Sequence, residues 1–272
     1  MSDKQNIMAT PAPWDLVATG YAETTMPMLA QYAEVAVDTL ALRDGSKVLD
    51  VACGSGSVSL MVAKQVESVH AIDFSVSMLN ICQQKADEND IRNIYTFHGD
   101  AQKLPFEDTH FDAAISMFGL MFFPDRKAGL AEMYRTLKQG GRVAISSWAP
   151  AADSPAMNIV FGAMREMNPD IPEPQTMIDS LENPDVFQAE LEAAGFKDIN
   201  IKRVTKHFPV ESVAEFWQSM VIGHVGFTLM KHQLSEADWY EKERLALAYL
   251  HQYIPHTPTT LAADAWLGTG VK

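Results

Sequence analysis

Two glycines and an acid follow an apolar stretch near residue 50. Positions 48–57 read Val-Leu-Asp-Val-Ala-Cys-Gly-Ser-Gly-Ser, with the acid at Asp50 and the glycines at Gly54 and Gly56. Glycine lets a backbone turn tightly and approach a ligand, and a helix beginning there presents unpaired N–H groups. A pyrophosphate loop would have a third glycine where Ser59 stands. The carboxylate beside this loop therefore favours a nucleotide-type ligand with a cationic amino group over an anionic phosphate.

Two more acids follow later apolar stretches. Asp73 ends the run Val-His-Ala-Ile-Asp at positions 69–73, and Asp100 lies in His-Gly-Asp-Ala-Gln-Lys-Leu-Pro-Phe at positions 98–106. With the glycine loop, these runs resemble the class I S-adenosylmethionine-dependent methyltransferases, whose first motif reads hydrophobic-Leu-Asp-hydrophobic-x-x-Gly-x-Gly. The segments at 111–116 and 137–143 resemble the family's fourth strand and the turn into its fifth. The motif sequences are most similar to those of the methyltransferases of the ubiquinone/menaquinone biosynthesis subgroup.

The resemblance implies S-adenosylmethionine as cofactor and S-adenosylhomocysteine as product. It implies that Asp73 accepts from the ribose hydroxyls and Asp100 from the adenine amino group, while Asp50 lies near the amine. Each acid also has a structural alternative: Asp50 contacting loop amides, Asp73 capping a helix, Asp100 in a turn. Phe74 and Met78 have two possible roles: packing in the core or covering the face of the adenine. The predicted cofactor-binding residues are Asp50, Ala52, Gly54, Gly56, Asp73, Phe74, Met78, Asp100, Ala101, Ser116 and Tyr21.

The methyl acceptor is predicted to lie among apolar side chains. Met117 and Phe118 follow the fourth predicted strand and are expected to form the wall between cofactor and acceptor, whereas Phe122 and Phe123 are expected to pack the sheet edge. Trp148 and Trp217 are predicted pocket residues, with cap core as the alternative. Tyr21 and Trp14 also have two possible roles: they form a lid over the site, or they anchor a helix to the core. Among the histidines, His224 is the candidate general base, although a direct displacement at a sulfonium methyl can proceed without one.

Composition limits the partners. A net charge of −14 argues against a nucleic-acid partner, because such binding depends on Lys and Arg neutralising phosphates. The two cysteines, Cys53 and Cys82, suggest neither a disulfide framework nor a cysteine-rich metal site, so no metal is predicted. No apolar run is long enough to span a bilayer and the first residues lack a signal-peptide pattern, so a cytoplasmic location is expected. The oligomeric state cannot be predicted from the sequence.

The spacing of apolar residues predicts the elements that position these side chains. Short strands alternate with amphipathic helices from position 47, which is the βαβ rhythm of a mostly parallel sheet. We predict a doubly wound, Rossmann-like α/β fold with seven strands, a final antiparallel strand and helical cap insertions. Residues 1–45 form an N-terminal helical lid, 46–149 the cofactor-binding core, and 150–272 the cap insertions with the last helix and antiparallel strands. Pro27 is expected to separate the first two helices, because a proline moves the residue before it, Met26, out of the α region. The second of these helices is expected to end near Asp44 and Gly45.

Three functions remain in view. The leading prediction is an S-adenosylmethionine-dependent methyltransferase acting on a small organic acceptor, apolar or aromatic rather than polyanionic. An NAD(P)-dependent oxidoreductase is the second, and Ser59 and Asp50 count against it. A non-catalytic cofactor-binding protein is the third, since a fold does not fix a function.

Overall fold

A seven-stranded sheet forms the centre of the computed structural model, which describes residues 7–172 and 179–272. The strands are β1 Lys47–Val51, β2 Ser68–Asp73, β3 Ile94–His98, β4 Phe111–Met117, β5 Leu137–Trp148, β6 Lys197–Val210 and β7 Thr259–Val271. They lie in the order β3-β2-β1-β4-β5-β7-β6, with β1 to β5 parallel and β7 antiparallel to both β5 and β6. The prediction of a mostly parallel, seven-stranded α/β sheet with a final antiparallel strand is confirmed.

Helices flank this sheet, and side-chain caps fix where several of them begin. The Ser75 hydroxyl accepts from the Met78 amide at 3.1 Å, and the Asn183 side chain accepts from the Asp185 amide at 3.0 Å. Such caps satisfy donors that a helix start leaves unpaired. The helices are α1 Pro11–Gly20, a π-helix at Tyr21–Thr25, α2 Met26–Val37, α3 Ser57–Val62, α4 Val76–Glu88, α5 Arg126–Thr136, α6 Pro155–Met167, α7 Pro184–Ala194, α8 Val213–Gly223, α9 Val225–Gln233 and α10 Glu236–Tyr253.

The expected break at Pro27 is wrong. Met26 has φ −56° and ψ −45°, and its amide donates to the carbonyl of Tyr21, so the chain stays helical through a π-turn. In that i→i−5 register the missing N–H of Pro27 would have served the carbonyl of Ala22. The Lys85 ammonium, 3.2 Å away, donates to this carbonyl instead. The second helix ends at Val37 rather than near position 44.

Both faces of the sheet are buried, and β1 divides its side chains between them. Val48 packs in a cluster with side chains from α2, α3 and α4, whereas Leu49 and Val51 pack with α5 and α7. Burial on both faces explains why β1 is almost continuously apolar, and it makes the buried Asp50 on this strand exceptional.

A separate apolar cluster forms the helical cap. It joins α6 to the three helices α8, α9 and α10, which lie in sequence between β6 and β7. β6 and β7 themselves belong to the same sheet as β1 to β5. Within residues 7–172 and 179–272, no helix is both long enough and apolar enough to cross a membrane.

Candidate functional site

A cavity of about 330 Å³ opens at the carboxyl ends of the parallel strands. It lies next to the residues that follow β1, β3 and β4 and the acid that ends β2, which is where doubly wound sheets bind their ligands. Its volume is in the range of ligand sites in proteins. The lining residues are Ala9, Trp14, Tyr21, Ala52, Gly54, Asp73, Phe74, Met78, Gly99, Asp100, Ala101, Gln102, Met117, Phe118, Gly119, Phe122, Phe123 and Pro124.

The loop after β1 adopts backbone angles that favour glycine. Gly54 and Gly56 have φ of +55° and +88°, and the non-glycine Ala52 has φ of +53°. A Cβ on Gly54 would meet no protein atom within 4 Å, so the space beside this cavity-lining residue is free for a ligand. Gly56 packs instead against Cys82, where a Cβ would come within 2.5 Å of the sulfur. Gly56 thus allows α3 and α4 to approach, and Gly54 leaves the cavity open.

Gly119 is a site residue that the sequence reasoning missed. A Cβ there would come within 2.4 Å of the Ala52 side chain, so the loops after β1 and β4 can meet only with glycine at this position. Its neighbour Phe118 has φ of +57°, which is strained for an aromatic residue. Gly119 could have been indicated by its position, since it is a glycine just after the end of a strand whose loop faces the first glycine loop.

Asp50 is buried beneath the glycine loop, 1% exposed. Its Oδ2 accepts from the amide and the hydroxyl of Ser59, at 3.0 and 2.6 Å. Burial raises the pKa of Asp50 to about 7, against the lowering effect of the bonds from Ser59. The side chain also lines a smaller cavity of about 40 Å³, which shares Tyr21, Ala52, Gly54 and Met117 with the larger one. The structural alternative, a carboxylate that accepts from a backbone amide, is therefore present, and the ligand role of Asp50 stays a prediction.

Asp73 ends β2 with its carboxylate at the cavity. Its Oδ2 accepts from the Gly54 amide and its Oδ1 from the Ser75 amide, each at 2.8 Å. Burial raises the pKa of Asp73 to about 6, although the hydrogen bonds donated by the Ser75 and Gly54 amides lower it. Ser75, rather than Asp73, caps α4. The carboxylate therefore joins the first loop to the second and remains part of the cavity lining.

Asp100 is exposed at the cavity rim, and Gln102 orients it. The Gln102 side-chain nitrogen lies 2.9 and 3.1 Å from the two carboxylate oxygens, and its backbone amide also donates to Oδ1 at 2.8 Å. The Gln102 side-chain oxygen accepts from the amide of Asp125, which caps α5. Gln102 lines the cavity and was missed because a glutamine in a polar turn resembles any surface residue.

Aromatic side chains form one wall of the cavity. The Trp14 ring meets Phe122 edge-on at 5.1 Å and lies 6.3 Å from Tyr21, between ring centroids. Burial, and then repulsion by Asp73, raise the pKa of Tyr21 far above its ordinary value, so its phenol stays protonated. The expectation that Phe122 and Phe123 only pack the sheet edge is wrong, since both line the cavity. Phe74, Met78, Ala101, Met117 and Phe118 also lie where a ligand would contact them.

Trp217 and His224 lie in the cap rather than in the cavity lining. Trp217 stacks on Trp239, and its indole donates to the Glu243 carboxylate at 2.6 Å. His224 caps α9, its Nδ1 accepting from the Gly226 amide at 3.2 Å, and burial lowers its pKa to about 4. These contacts give Trp217 a cap-core role and His224 a structural one, because their polar atoms serve the cap itself.

Trp148 and Ser116 lie next to residues of the cavity lining. The Trp148 ring lies 4.4 Å from that of Phe118, between centroids. Ser116 is fully buried, and its hydroxyl would lie 3.3 Å from a Cβ on Gly119. Neither residue is part of the described lining of the larger cavity, so their contacts with a ligand stay predictions.

The sheet order and the cavity define a Rossmann-like α/β fold with a candidate ligand site at the strand ends. A methyltransferase-domain family model matches residues 48–141. The chain is 42% identical over 106 residues to a demethylmenaquinone methyltransferase of Listeria welshimeri, a match covering 38% of this chain and 45% of that protein. The chain thus matches less than half of the relative's length.

Solved structures share the fold. YcgJ from Bacillus subtilis matches with a TM-score of 0.57 and 19% identity, over 88% of this chain and 97% of that one. A phosphoethanolamine N-methyltransferase 2 of Haemonchus contortus, solved with S-adenosylhomocysteine and phosphomonomethylethanolamine, matches with a TM-score of 0.55 and 17% identity, over 89% of this chain and 52% of that one. Over residues 48–141 the chain is therefore similar to a methyltransferase domain, and the solved structures share its fold.

A substitution at His224 separates its cap role from a catalytic one. We expect His224→Ala to lower the free energy of unfolding by about 1 kcal/mol through loss of the α9 cap, while affinity for S-adenosylhomocysteine stays within about twofold. His224→Asn, a good capping residue, should retain most of the stability. Chemical denaturation and calorimetry measure both quantities. A large loss of methyl transfer in a stable His224→Asn protein would restore the catalytic hypothesis.

Proposed function

We propose that this protein transfers a methyl group from S-adenosylmethionine to a small, uncharged, aromatic or apolar acceptor. The observation that carries the proposal is the charge of the site. Asp73 and Asp100 line the cavity and Asp50 lines its smaller neighbour, while the described lining of both contains no Lys, Arg or His. This favours a ligand bearing an amine and hydroxyl donors over one bearing phosphates, which supports the methyl donor over NAD(P).

The three acids match three parts of that donor. Asp73, at the β2 end, would accept from the ribose hydroxyls, and Asp100, at the rim, from the adenine amino group; both acids line the cavity, which supports this assignment. Asp50 faces the smaller cavity, where a cationic amine would favour its ionised form. Phe74, Met78 and Ala101 provide apolar surface for the purine. The donor supplies an electrophilic methyl group on a sulfonium centre.

The acceptor side is aromatic. Trp14, Tyr21 and Phe122 face the cavity from the N-terminal helices and the β4 loop, and Met117 and Phe118 lie between them and the glycine loop. Such a surface suits a flat, uncharged ring, because an anionic group would lie beside two carboxylates without a cation to balance it. A quinone-type acceptor, as named in the Listeria relative, has this chemistry.

The chain's residues contribute mainly alignment and exclusion of water. The described titratable groups lining the larger cavity are Tyr21, Asp73 and Asp100, and the Tyr21 phenol is a poor base because its pKa is raised by burial. Asp73 and Asp100 already accept hydrogen bonds from Gly54, Ser75 and Gln102. We therefore propose that the acceptor reacts without a dedicated protein base and is held by stacking against the aromatic wall.

Titration followed by transfer tests the proposal. We expect the purified protein to bind S-adenosylmethionine and S-adenosylhomocysteine in calorimetry and to show no saturable binding of NADH or NADPH. Incubation with methyl-labelled donor and a cell extract should then label a neutral aromatic metabolite, identified by mass spectrometry. The proposal would be abandoned if a folded sample took up neither adenosyl ligand, or if the labelled product were an anionic metabolite or a nucleic acid.

A further inference from the structure

A carboxylate from the first helix contacts the start of α4. Asp15, on α1, lies with its Oδ1 2.6 Å from the Ser75 hydroxyl and 3.0 Å from the Ser77 amide, both of which donate to it. The contact joins residues about 60 positions apart in sequence and sits at the N-terminus of a 13-residue helix, where negative charge is favourable. It is thus a tertiary link between α1 and α4.

Ser75 is shared between this link and the cofactor carboxylate. Its amide donates to Asp73 Oδ1 at 2.8 Å, while its hydroxyl donates to Asp15 and accepts from the Met78 amide. Ser75 is fully buried, so its hydroxyl has little freedom to find another acceptor. Burial tends to raise the pKa of Asp15, but the bonds from Ser75 and Ser77 outweigh it and hold this pKa below its usual value. Asp15 is therefore ionised at neutral pH. Its carboxylate accepts from the hydroxyl of Ser75, whose amide donates to Asp73.

The N-terminal helical segment also carries two residues of the aromatic wall. Trp14 precedes Asp15 directly, and Tyr21 follows at the start of the π-helix; both line the cavity. Further along, Lys85 at the other end of α4 donates to the Ala22 carbonyl of the π-helix. Besides apolar packing of α1 on α4, hydrogen bonds thus join the wall-bearing segment to both ends of α4, and one of these bonds involves Ser75.

We propose that Asp15 is a positioning residue of the methyltransferase site, which couples the aromatic wall on α1 to the cofactor carboxylate Asp73 through Ser75. The inference rests on the proposed function for the identity of the ligand. Binding at Asp73 favours the Ser75 arrangement that Asp15 also requires, so ligand and wall stabilise each other. Without Asp15, the wall residues Trp14 and Tyr21 would lose their fixed distance from the ligand.

Four full-length proteins test the coupling: wild type, Asp15→Ala, Asp15→Asn and Glu23→Ala, the last removing an exposed acid from the same segment. We expect Asp15→Ala to bind S-adenosylhomocysteine about tenfold more weakly, because a charge-assisted hydrogen-bond network is lost. Asp15→Asn keeps an acceptor oxygen and should recover most of the affinity, and Glu23→Ala should match wild type. Hydrogen exchange should become faster in residues 11–25 of Asp15→Ala while β1 and β4 stay protected.

A double mutant distinguishes coupling from general destabilisation. If Asp15 acts through Ser75, adding Asp15→Ala to Ser75→Ala should weaken binding by no more than about twofold beyond Ser75→Ala alone. Full additivity, or an Asp15→Ala protein with wild-type affinity and unchanged exchange in residues 11–25, would overturn the proposal. If wild type fails to bind S-adenosylhomocysteine, the proposed function fails. The link between the helices is then judged by exchange: faster exchange of residues 11–25 in Asp15→Ala supports it, and equal exchange refutes it.

Discussion

Gly54→Val should abolish measurable binding of S-adenosylhomocysteine in a protein that still folds. The side chain would enter space that contains no protein atom within 4 Å, so the folded chain can accommodate it. That space borders the cavity in which we propose the ligand lies. A branched side chain there would overlap the ligand, and we expect affinity to fall more than about 100-fold, which corresponds to about 2.7 kcal/mol. Calorimetry with the purified variant measures the loss.

A second glycine provides the matched control. Gly140 also has a positive φ, +78°, and open space around its Cβ position, but it is exposed near the start of β5, at the opposite end of the sheet. Both substitutions force a β-branched residue into a left-handed conformation, at about 1–2 kcal/mol. Gly140→Val should therefore lose similar stability and keep its affinity. Equal affinities in the two variants would show that the ligand does not occupy the space at Gly54.

The strands could be predicted because their local signals agree with their tertiary role. The apolar runs that end in Asp73 and Met117 are buried on both faces, so composition alone marks them. Helix α7 is predictable to its ends, since Asn183 caps it, Pro184 occupies its first turn and Gly195 ends it with φ of +103°. In each case the residue that the local rule requires is the residue present.

Features that depend on distant partners could not be predicted. Pro27 is a helix-breaking signal, yet Lys85, far along the chain, serves a carbonyl that the proline leaves free. The same limit applies to the site. Phe122 and a core phenylalanine look alike in sequence, and only the position of Trp14 makes Phe122 a cavity wall. His224 looked like a candidate base because a buried imidazole suggests chemistry, and its cap bond to Gly226 was not visible.

The acids differ from these residues because their positions follow from topology. Parallel strands in one doubly wound sheet end at one edge, so acids at or near the ends of β1, β2 and β3 must gather there whatever the side-chain details. The structure adds what spacing cannot give: Asp50 is buried beneath the loop, Asp73 bridges two loops, and Asp100 is exposed and held by Gln102. These differences in burial lead to different expectations for pH.

Asp73→Ala should weaken binding of S-adenosylhomocysteine about 100-fold or more. In the proposed site the substitution would remove the acceptor for two ribose hydroxyls, and hydrogen bonds to a charged group contribute about 1.5–3 kcal/mol each. It also leaves the Gly54 and Ser75 amides without their acceptor, which loosens both loops. Asp73→Asn keeps one acceptor oxygen and should lie between Ala and wild type. An Asp73→Ala protein that folds and binds within about threefold of wild type would contradict the ribose assignment.

The dependence of affinity on pH provides a second test of Asp73. Burial raises the pKa of Asp73 to about 6 in the ligand-free protein, and hydroxyl donors prefer the ionised carboxylate. The contribution of Asp73 to the affinity should therefore be complete well above pH 6 and weaken as the pH falls through 6, approaching about tenfold per pH unit for one linked proton. Asp73→Ala should make this decline shallower, leaving the contribution of Asp50, whose pKa is about 7. Calorimetric titrations from pH 5 to pH 8 measure both slopes, and parallel slopes in the two proteins would show that Asp73 does not bind the ligand as a carboxylate.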